Sequence, residues 1–188
     1  MRKSILMISA LMVLLACGGK KTTAEVTDSA NSDSLAKEEI TSCIHNLYAA
    51  AAKNASDIDG SFACHAWRDT VAAVEKKDVQ QLEIGFFNDD YWTWMQDDNP
   101  DDLEARDIQF EQLDVEKGTA TVGFMLYSSV QTVHMMFRFC REDGDWRVHD
   151  IIRYNTESDG KETATSFMEA MQNYLNEETS EDGGDELM

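Results

Sequence analysis

Basic residues are scarce in this chain. Its 188 residues include 16 lysines and arginines against 36 aspartates and glutamates, which gives a formal net charge of −20. A surface of that sign repels phosphate backbones and anionic lipid headgroups, so it argues against nucleic acid as a partner and against electrostatic attachment to a membrane. Much of the acidic charge lies in turns and in residues 177–186, where it serves solubility and need not mark a binding face.

The sequence also lacks the motifs of nucleotide binding and of serine catalysis. It contains no Gly-rich phosphate loop, no nucleophile elbow and no basic aromatic patch. Residues 97–101 and 155–160 begin like calcium loops, but neither has a glutamate at the twelfth loop position. The four histidines do not have the spacing of a zinc site; they are His45, His65, His134 and His149. We therefore expect no cofactor and no metal, and we assign no catalytic residue.

No apolar run at the N-terminus is long enough to cross a bilayer, which takes about 20 residues. Residues 5–15 form a shorter apolar stretch that follows Arg2 and Lys3 and ends at the small residue Ala16, a pattern typical of a secretory signal. Residues 14–17, Leu-Leu-Ala-Cys, resemble the lipobox of bacterial lipoproteins. The resemblance implies cleavage after residue 16 and attachment of lipid to Cys17, so the membrane becomes a partner through that lipid. The alternative is an ordinary signal peptide with a coincidental cysteine.

The remaining chain divides into three parts by composition. Residues 17–33 are small, polar and without hydrophobic period, which predicts the lipidated cysteine and a flexible linker. Residues 34–176 are long enough for one domain, and the acidic residues 177–188 predict a disordered tail. The residues after Cys17 are glycines and lysines and lack the acidic export signal of some surface lipoproteins. We therefore expect a bacterial envelope protein anchored in the outer membrane and facing the periplasm.

Three cysteines remain beyond Cys17, so disulfide pairing within the chain would leave one of them as a free thiol. Disulfides persist outside the cytoplasm. Cys43 and Cys64 are close in sequence and lie on two predicted helices, whereas Cys140 lies in a distant predicted strand, so Cys43 and Cys64 are the candidate pair. The alternative is three buried reduced thiols that act as small apolar side chains.

Hydrophobic periodicity predicts helices followed by strands. Leu35, Ile40, Ile44, Leu47, Tyr48 and Ala51 lie on one face of a helix from residue 34 to about residue 54. A second helix is predicted over 64–77, strands over 108–115, 119–127, 131–141 and 146–153, and a last helix over 161–176. The alternation in the first strand slips once, which a bulge explains. The predicted fold class is α+β, with N-terminal helices packed on a curved antiparallel sheet of about four strands and a C-terminal helix.

The order of these elements, and the closing hairpin over residues 139–151 with its acidic-Gly turn and Trp146-Arg147-Val148, resemble a nuclear-transport-factor-two-like domain. That family has a cone-shaped fold shared with cystatin-like proteins, and the likeness covers residues 35–153. Residues 87–97 further resemble a group of secreted bacterial lipoproteins classed as a domain of unknown function. Enzymes of the superfamily place an Asp base and a Tyr donor inside the cone. Residues 84–97 are also the segment richest in aromatic residues. This segment and the resemblance together make Tyr91, Trp94, Tyr127 and Asp150 the possible pocket residues.

One fold of this kind carries many unrelated functions. We expect a lipid-anchored, non-catalytic binding module for a small apolar ligand or a protein partner of the envelope. Two alternatives stay open at this point. One is an enzyme that acts on a small molecule inside the cone, and the other is an inhibitor or immunity protein that meets an envelope enzyme through the acidic loop 97–102.

Overall fold

The computed structural model describes residues 23–81, 85–87, 90–94, 101–156 and 161–177. The predicted signal peptide, Cys17 and the predicted tail beyond residue 177 lie outside these residues, as does most of the acidic loop 97–102. Among the helices that are described, none combines the length and the apolar character needed to cross a membrane.

Within the described residues, three helices precede an antiparallel sheet and a fourth helix follows it. The helices are α1 (Thr23–Ala51), α2 (Ile58–Phe62), α3 (His65–Gln81) and α4 (Phe167–Asn176). The strands are β1 (Glu104–Asp114), β2 (Thr119–Tyr127), β3 (Thr132–Glu142), β4 (Asp145–Thr156) and β5 (Glu162–Ser166). Each strand pairs antiparallel with the next one in the chain. The predicted α+β class is confirmed, and the arrangement is consistent with a cone.

The sheet has five strands where the sequence predicts about four. The predicted helix over 161–176 divides at Ser166 into β5 and α4. Thr163 and Thr165 are β-branched and favour extended backbone, and the residue between them pairs with Tyr154 of β4. The Ser166 hydroxyl accepts a hydrogen bond from the Glu169 N–H over 3.0 Å, which caps the first turn of α4 and sets its start.

The first helix begins at Thr23, inside the segment 17–33 that the sequence predicts as a flexible linker. The predicted start at Ser34 is therefore wrong. The observed end at Ala51 is close to the predicted end near residue 54. Once a helix is nucleated, each further residue adds a backbone hydrogen bond at little extra cost, so a polar segment without an apolar stripe can still extend it.

The core lies between α1 and the sheet. The predicted stripe of α1 is confirmed, since its members are at most 1% exposed: Ile40, Ile44, Leu47, Tyr48 and Ala51. The Tyr48 ring packs against Phe124 of β2 and Phe137 of β3, at centroid distances of 5.7 and 6.4 Å. Leu35, predicted for the same stripe, is instead 53% exposed because it lies beside an open groove.

Two strands depart from regular pairing, and the departures curve the sheet. The predicted bulge in β1 is confirmed by shifts of register against β2 between Arg106 and Gln109 and between Phe110 and Gln112. In β4 the pairing with β3 passes from Asp150 directly to Val148, so His149 is the extra residue of a bulge.

Candidate functional site

Each of the four residues predicted for a pocket contacts other side chains among the described residues. The Tyr91 hydroxyl donates to Asp59 Oδ2 over 2.7 Å, and its ring packs on Trp67. Burial, followed by the charge of Asp59, raises the pKa of Tyr91 well above its ordinary value. The Trp94 ring lies against Phe167 and beneath the Arg153 guanidinium, at 4.7 and 4.5 Å. Both aromatic rings are therefore occupied by contacts within the domain.

Tyr127 and Asp150 also have structural partners. Arg106 lies over the Tyr127 ring at 5.0 Å. Asp150 is 2% exposed, and its carboxylate accepts hydrogen bonds from Ser166 Oγ over 2.8 Å and from the Met168 N–H over 3.0 Å. Arg138 adds an ion pair at 3.1 Å. The Asp150 carboxylate thus anchors the start of α4 to the sheet, and both of its oxygens already accept hydrogen bonds from protein donors.

An open groove of about 610 Å³ lies between α1, α2 and the β3–β4 hairpin. We call it the hairpin groove. Its lining residues are Leu35, Glu38, Glu39, Ser42, Cys43, Asn46, Ser61, Phe62, Gly144, Asp145, Trp146 and Arg147. Its volume lies in the range of small-molecule sites, which is roughly 300–1,000 Å³. None of the four predicted pocket residues lines this groove.

The walls of the hairpin groove are fixed by hydrogen bonds between its elements. Trp146 Nε1 on β4 donates to Glu39 Oε2 on α1 over 3.1 Å. The Cys43 thiol donates to the Trp146 carbonyl over 3.7 Å, and burial raises the pKa of Cys43 to about 11. The Arg147 guanidinium donates to the Ser61 carbonyl, which joins the hairpin to α2. The groove is therefore a preformed feature held by three elements.

A second group of side chains gathers at the start of α3. The ligand atoms of Cys64, Cys140 and His149 all lie within 4.8 Å of one another, and we call this group the sulfur cluster. Cys64 Sγ lies 3.4 Å from His149 Nδ1. Cys64 is 1% exposed, whereas Cys140 and His149 are partly exposed.

Backbone contacts hold the three donors in place. The Cys64 N–H donates to the Val148 carbonyl over 2.9 Å, and Ala63 forms a parallel bridge with Val148. These bonds fix the link between α2 and α3 against β4. Cys140 pairs with Arg147 across the β3–β4 hairpin. His149 follows Arg147 by two residues on β4, so it shares the sheet face of Cys140.

Hydrogen bonding in the sulfur cluster moves the pKa values of Cys64 and His149 in opposite directions. Burial alone raises the pKa of the Cys64 thiol, but the hydrogen bond with His149, the Trp67 backbone N–H and the imidazolium charge outweigh it, so the net pKa is lowered. The same hydrogen bond raises the pKa of His149. Burial, and then the charge of Cys64, raise the pKa of Cys140 to about 12. A thiolate is the form of cysteine that acts as nucleophile or metal ligand.

His65, which directly follows Cys64, is engaged elsewhere. Its Nδ1 lies 2.6 Å from Glu142 Oε2, and its backbone N–H donates to both oxygens of that carboxylate. His65 and Glu142 therefore form a pair that ties the first turn of α3 to the end of β3 and leaves His149 as the imidazole of the cluster.

The predicted Cys43–Cys64 pair does not form in the structure. Cys43, Cys64 and Cys140 are free cysteines, with Cys43 in the hairpin groove and Cys64 in the sulfur cluster. Sequence reasoning missed the cluster because Cys64 and His149 are 85 positions apart. One usable signal was the predicted hairpin turn, whose register places Cys140 opposite Arg147 and close to His149.

Comparison with known proteins adds no further assignment: no family model, no curated protein and no solved structure matches this chain. The likeness to nuclear-transport-factor-two-like domains therefore stays a prediction, and functional inference depends on the two sites themselves.

Proposed function

We propose that this protein is a lipid-anchored, non-catalytic binding module of the bacterial envelope, and that its hairpin groove binds a small apolar ligand that carries a positive charge. The observation that carries the proposal is the groove itself: a preformed cleft of about 610 Å³ lined by apolar and acidic side chains.

The apolar part of the hairpin groove is partly open to solvent. Leu35 is 53% exposed, although it belongs to the otherwise buried face of α1. Phe62 and Cys43 are partly buried beside the Trp146 ring. Fully burying a leucine side chain contributes about 1.5–3 kcal/mol. A ligand that covers Leu35 therefore gains affinity without rearranging the core.

The acidic side chains that line the hairpin groove favour a ligand of positive charge. Glu38, Glu39 and Asp145 line the groove, against a single Arg147. The Arg147 guanidinium lies 3.2 Å from Asp145, so these two opposite charges pair with each other, and Glu38 and Glu39 supply the remaining negative charge of the lining. The whole chain has a net charge of −20, which steers cations toward it. An apolar cation matches this groove better than an apolar anion does.

The chemistry of the groove favours binding over catalysis. Its described lining residues include no histidine, the side chain that most often serves as general base at neutral pH. The pKa of Cys43 is raised to about 11 by burial, so its thiol stays protonated and is a weak nucleophile. Polar groups of the groove thus serve to orient a ligand.

A matched pair of ligands and of variants tests the proposal. Full-length protein, extracted in a non-ionic detergent, is titrated by calorimetry with 4-phenylbutylammonium and with its anionic match, 4-phenylbutyrate. We expect saturable binding of the cation and at least about tenfold weaker binding of the anion. Leu35→Lys places bulk and positive charge in the groove and abolishes the binding. Val79→Lys, at a site 75% exposed on α3 and outside the groove lining, leaves it unchanged.

Equal binding of both probes, or equal effects of the two lysine variants, would contradict the proposed groove ligand. A protein partner that inserts an apolar side chain is the competing occupant. It predicts no binding of either small probe, and a protein-protein contact that the Leu35→Lys variant alone breaks.

A further inference from the structure

We propose that Cys64, Cys140 and His149 bind a thiophilic metal ion, Zn²⁺ or Cu⁺, through their two sulfur atoms and Nδ1. The inference does not depend on the hairpin groove, since Cys43 lines the groove whereas Cys64 and Cys140 belong to the sulfur cluster. It assigns a metal site to a chain in which histidine spacing alone predicts none.

The distances suit one ion. Zinc lies about 2.3 Å from a thiolate sulfur and about 2.0–2.1 Å from an imidazole nitrogen, so two such ligands at a tetrahedral angle are about 3.5 Å apart. Cys64 Sγ and His149 Nδ1 are separated by 3.4 Å. All three ligand atoms lie within 4.8 Å of one another. Small side-chain rotations therefore bring the three donors to bonding distance of a shared ion.

The donor set selects the class of metal. Thiolate sulfur favours Cu⁺ and Zn²⁺, and imidazole suits both, whereas Mg²⁺ and Ca²⁺ prefer oxygen ligands. Three protein ligands either complete a trigonal Cu⁺ site or leave a fourth position on Zn²⁺ for water or an external ligand. Cys64 forms the buried wall of the cluster, while Cys140 and His149 are partly exposed, so the ion exchanges through their side.

The backbone has already placed these donors without an ion. Cys64 is held through its N–H bond to Val148, Cys140 through strand pairing with Arg147, and His149 through its place on β4 two residues after Arg147. A pair of thiols alone would also fit a disulfide, formed when a thiol-disulfide oxidant removes two protons and two electrons from Cys64 and Cys140. His149 has no part in that reaction, and its Nδ1, 3.4 Å from Cys64 Sγ, is the third donor that a metal requires.

Metal titration of the full-length protein tests the assignment. Reduced, metal-free protein in non-ionic detergent is titrated with Zn²⁺ alone, and without oxygen with Cu⁺ alone, each in competition with a chromogenic chelator. We expect one ion per chain for at least one of the two metals, counted by native mass spectrometry. Cys64→Ser, Cys140→Ser and His149→Ala each remove a ligand, so each lowers the affinity by more than the roughly 100-fold that outer-sphere changes cost.

Cys43→Ser is the matched control, and it keeps the wild-type affinity because Cys43 is outside the cluster. Circular dichroism of each variant verifies folding, and if Cys64→Ser does not fold, the partly exposed Cys140 and His149 carry the test. Failure of the reduced wild type to bind either ion would overturn the proposal. So would a Cys64–Cys140 disulfide in the isolated protein, if its reduction did not restore metal uptake. A weak effect of His149→Ala would overturn the three-donor site as well.

Discussion

The carboxylate of Asp150 on β4 accepts a hydrogen bond from the backbone N–H of Met168, in the first turn of α4, over 3.0 Å. The same carboxylate accepts a bond from Ser166 Oγ, and Ser166 in turn caps the helix. One buried acidic side chain therefore connects the sheet to the helix that closes the fold. Negative charge at the N-terminal end of a helix also interacts favourably with its dipole.

Asp150→Ala is expected to destabilise the domain by about 2–4 kcal/mol, because it leaves the Met168 N–H and the Ser166 hydroxyl without their acceptor in a buried place. Asp150→Asn keeps one acceptor oxygen and costs less. Urea unfolding followed by circular dichroism measures both. Asp145→Asn, on an exposed carboxylate, is the control. If Asp150→Ala were no worse than the control, the anchoring role would be wrong.

Gly118→Ala, just before β2, is expected to lower the unfolding free energy of the domain by about 1–3 kcal/mol. Overpacking adds to backbone strain at this position. Gly118 has a φ of 64°, and a Cβ there would lie 2.8 Å from Arg141 Cβ.

Gly144→Ala separates the two causes. Gly144 has a φ of 94°, but a Cβ there meets nothing within 4 Å. We expect this variant to show the strain without the clash and to unfold at a higher urea concentration than Gly118→Ala. Equal losses would assign the whole effect to the backbone.

Alkylation of Cys43 is expected to be slow at pH 8 and to accelerate toward pH 11. Burial raises the pKa of Cys43 from 9.0 to about 11. For a thiol whose pKa is raised on folding, the associated stability is present below the unfolded pKa and is lost as the pH rises through the folded one. The unfolding free energy should therefore fall between pH 9 and pH 11, and less so in Cys43→Ala. Peptide mapping after brief iodoacetamide treatment gives the rate; fast labelling at pH 8 would contradict the buried protonated thiol.

Cys17→Ser is expected to abolish lipid attachment and to change the N-terminus of the mature chain. If the lipobox resemblance is right, wild-type protein begins at Cys17 and carries several acyl chains, each buried methylene of which adds about 0.8 kcal/mol to membrane binding. Mass spectrometry of the N-terminal peptide and membrane fractionation are the measurements. A wild-type N-terminus without lipid would favour the ordinary signal peptide.

The elements that sequence predicts well are those with a local period. The apolar stripe of α1 from Ile40 to Ala51 is predicted and buried, because a helix repeats every 3.6 residues whatever it packs against. The meander and the hairpin at Gly144 follow in the same way from alternation and turn residues. The division at Ser166 was missed, since a short strand and a helix start give no long periodic signal.

Composition and local pattern alone were sufficient for the α+β class, the acidic surface and the prediction of an anchored chain. They could not place Cys64 beside Cys140 and His149, nor assemble the groove around Trp146. Both sites are made by residues from separate elements, and only the packing of α1 and α3 on the sheet brings these together. His149 shows the limit most clearly: alternation along β4 places it on the sheet face of Arg147 and Cys140, but only the packing of the α2–α3 link on β4 brings the buried Cys64 thiol within 3.4 Å of its imidazole.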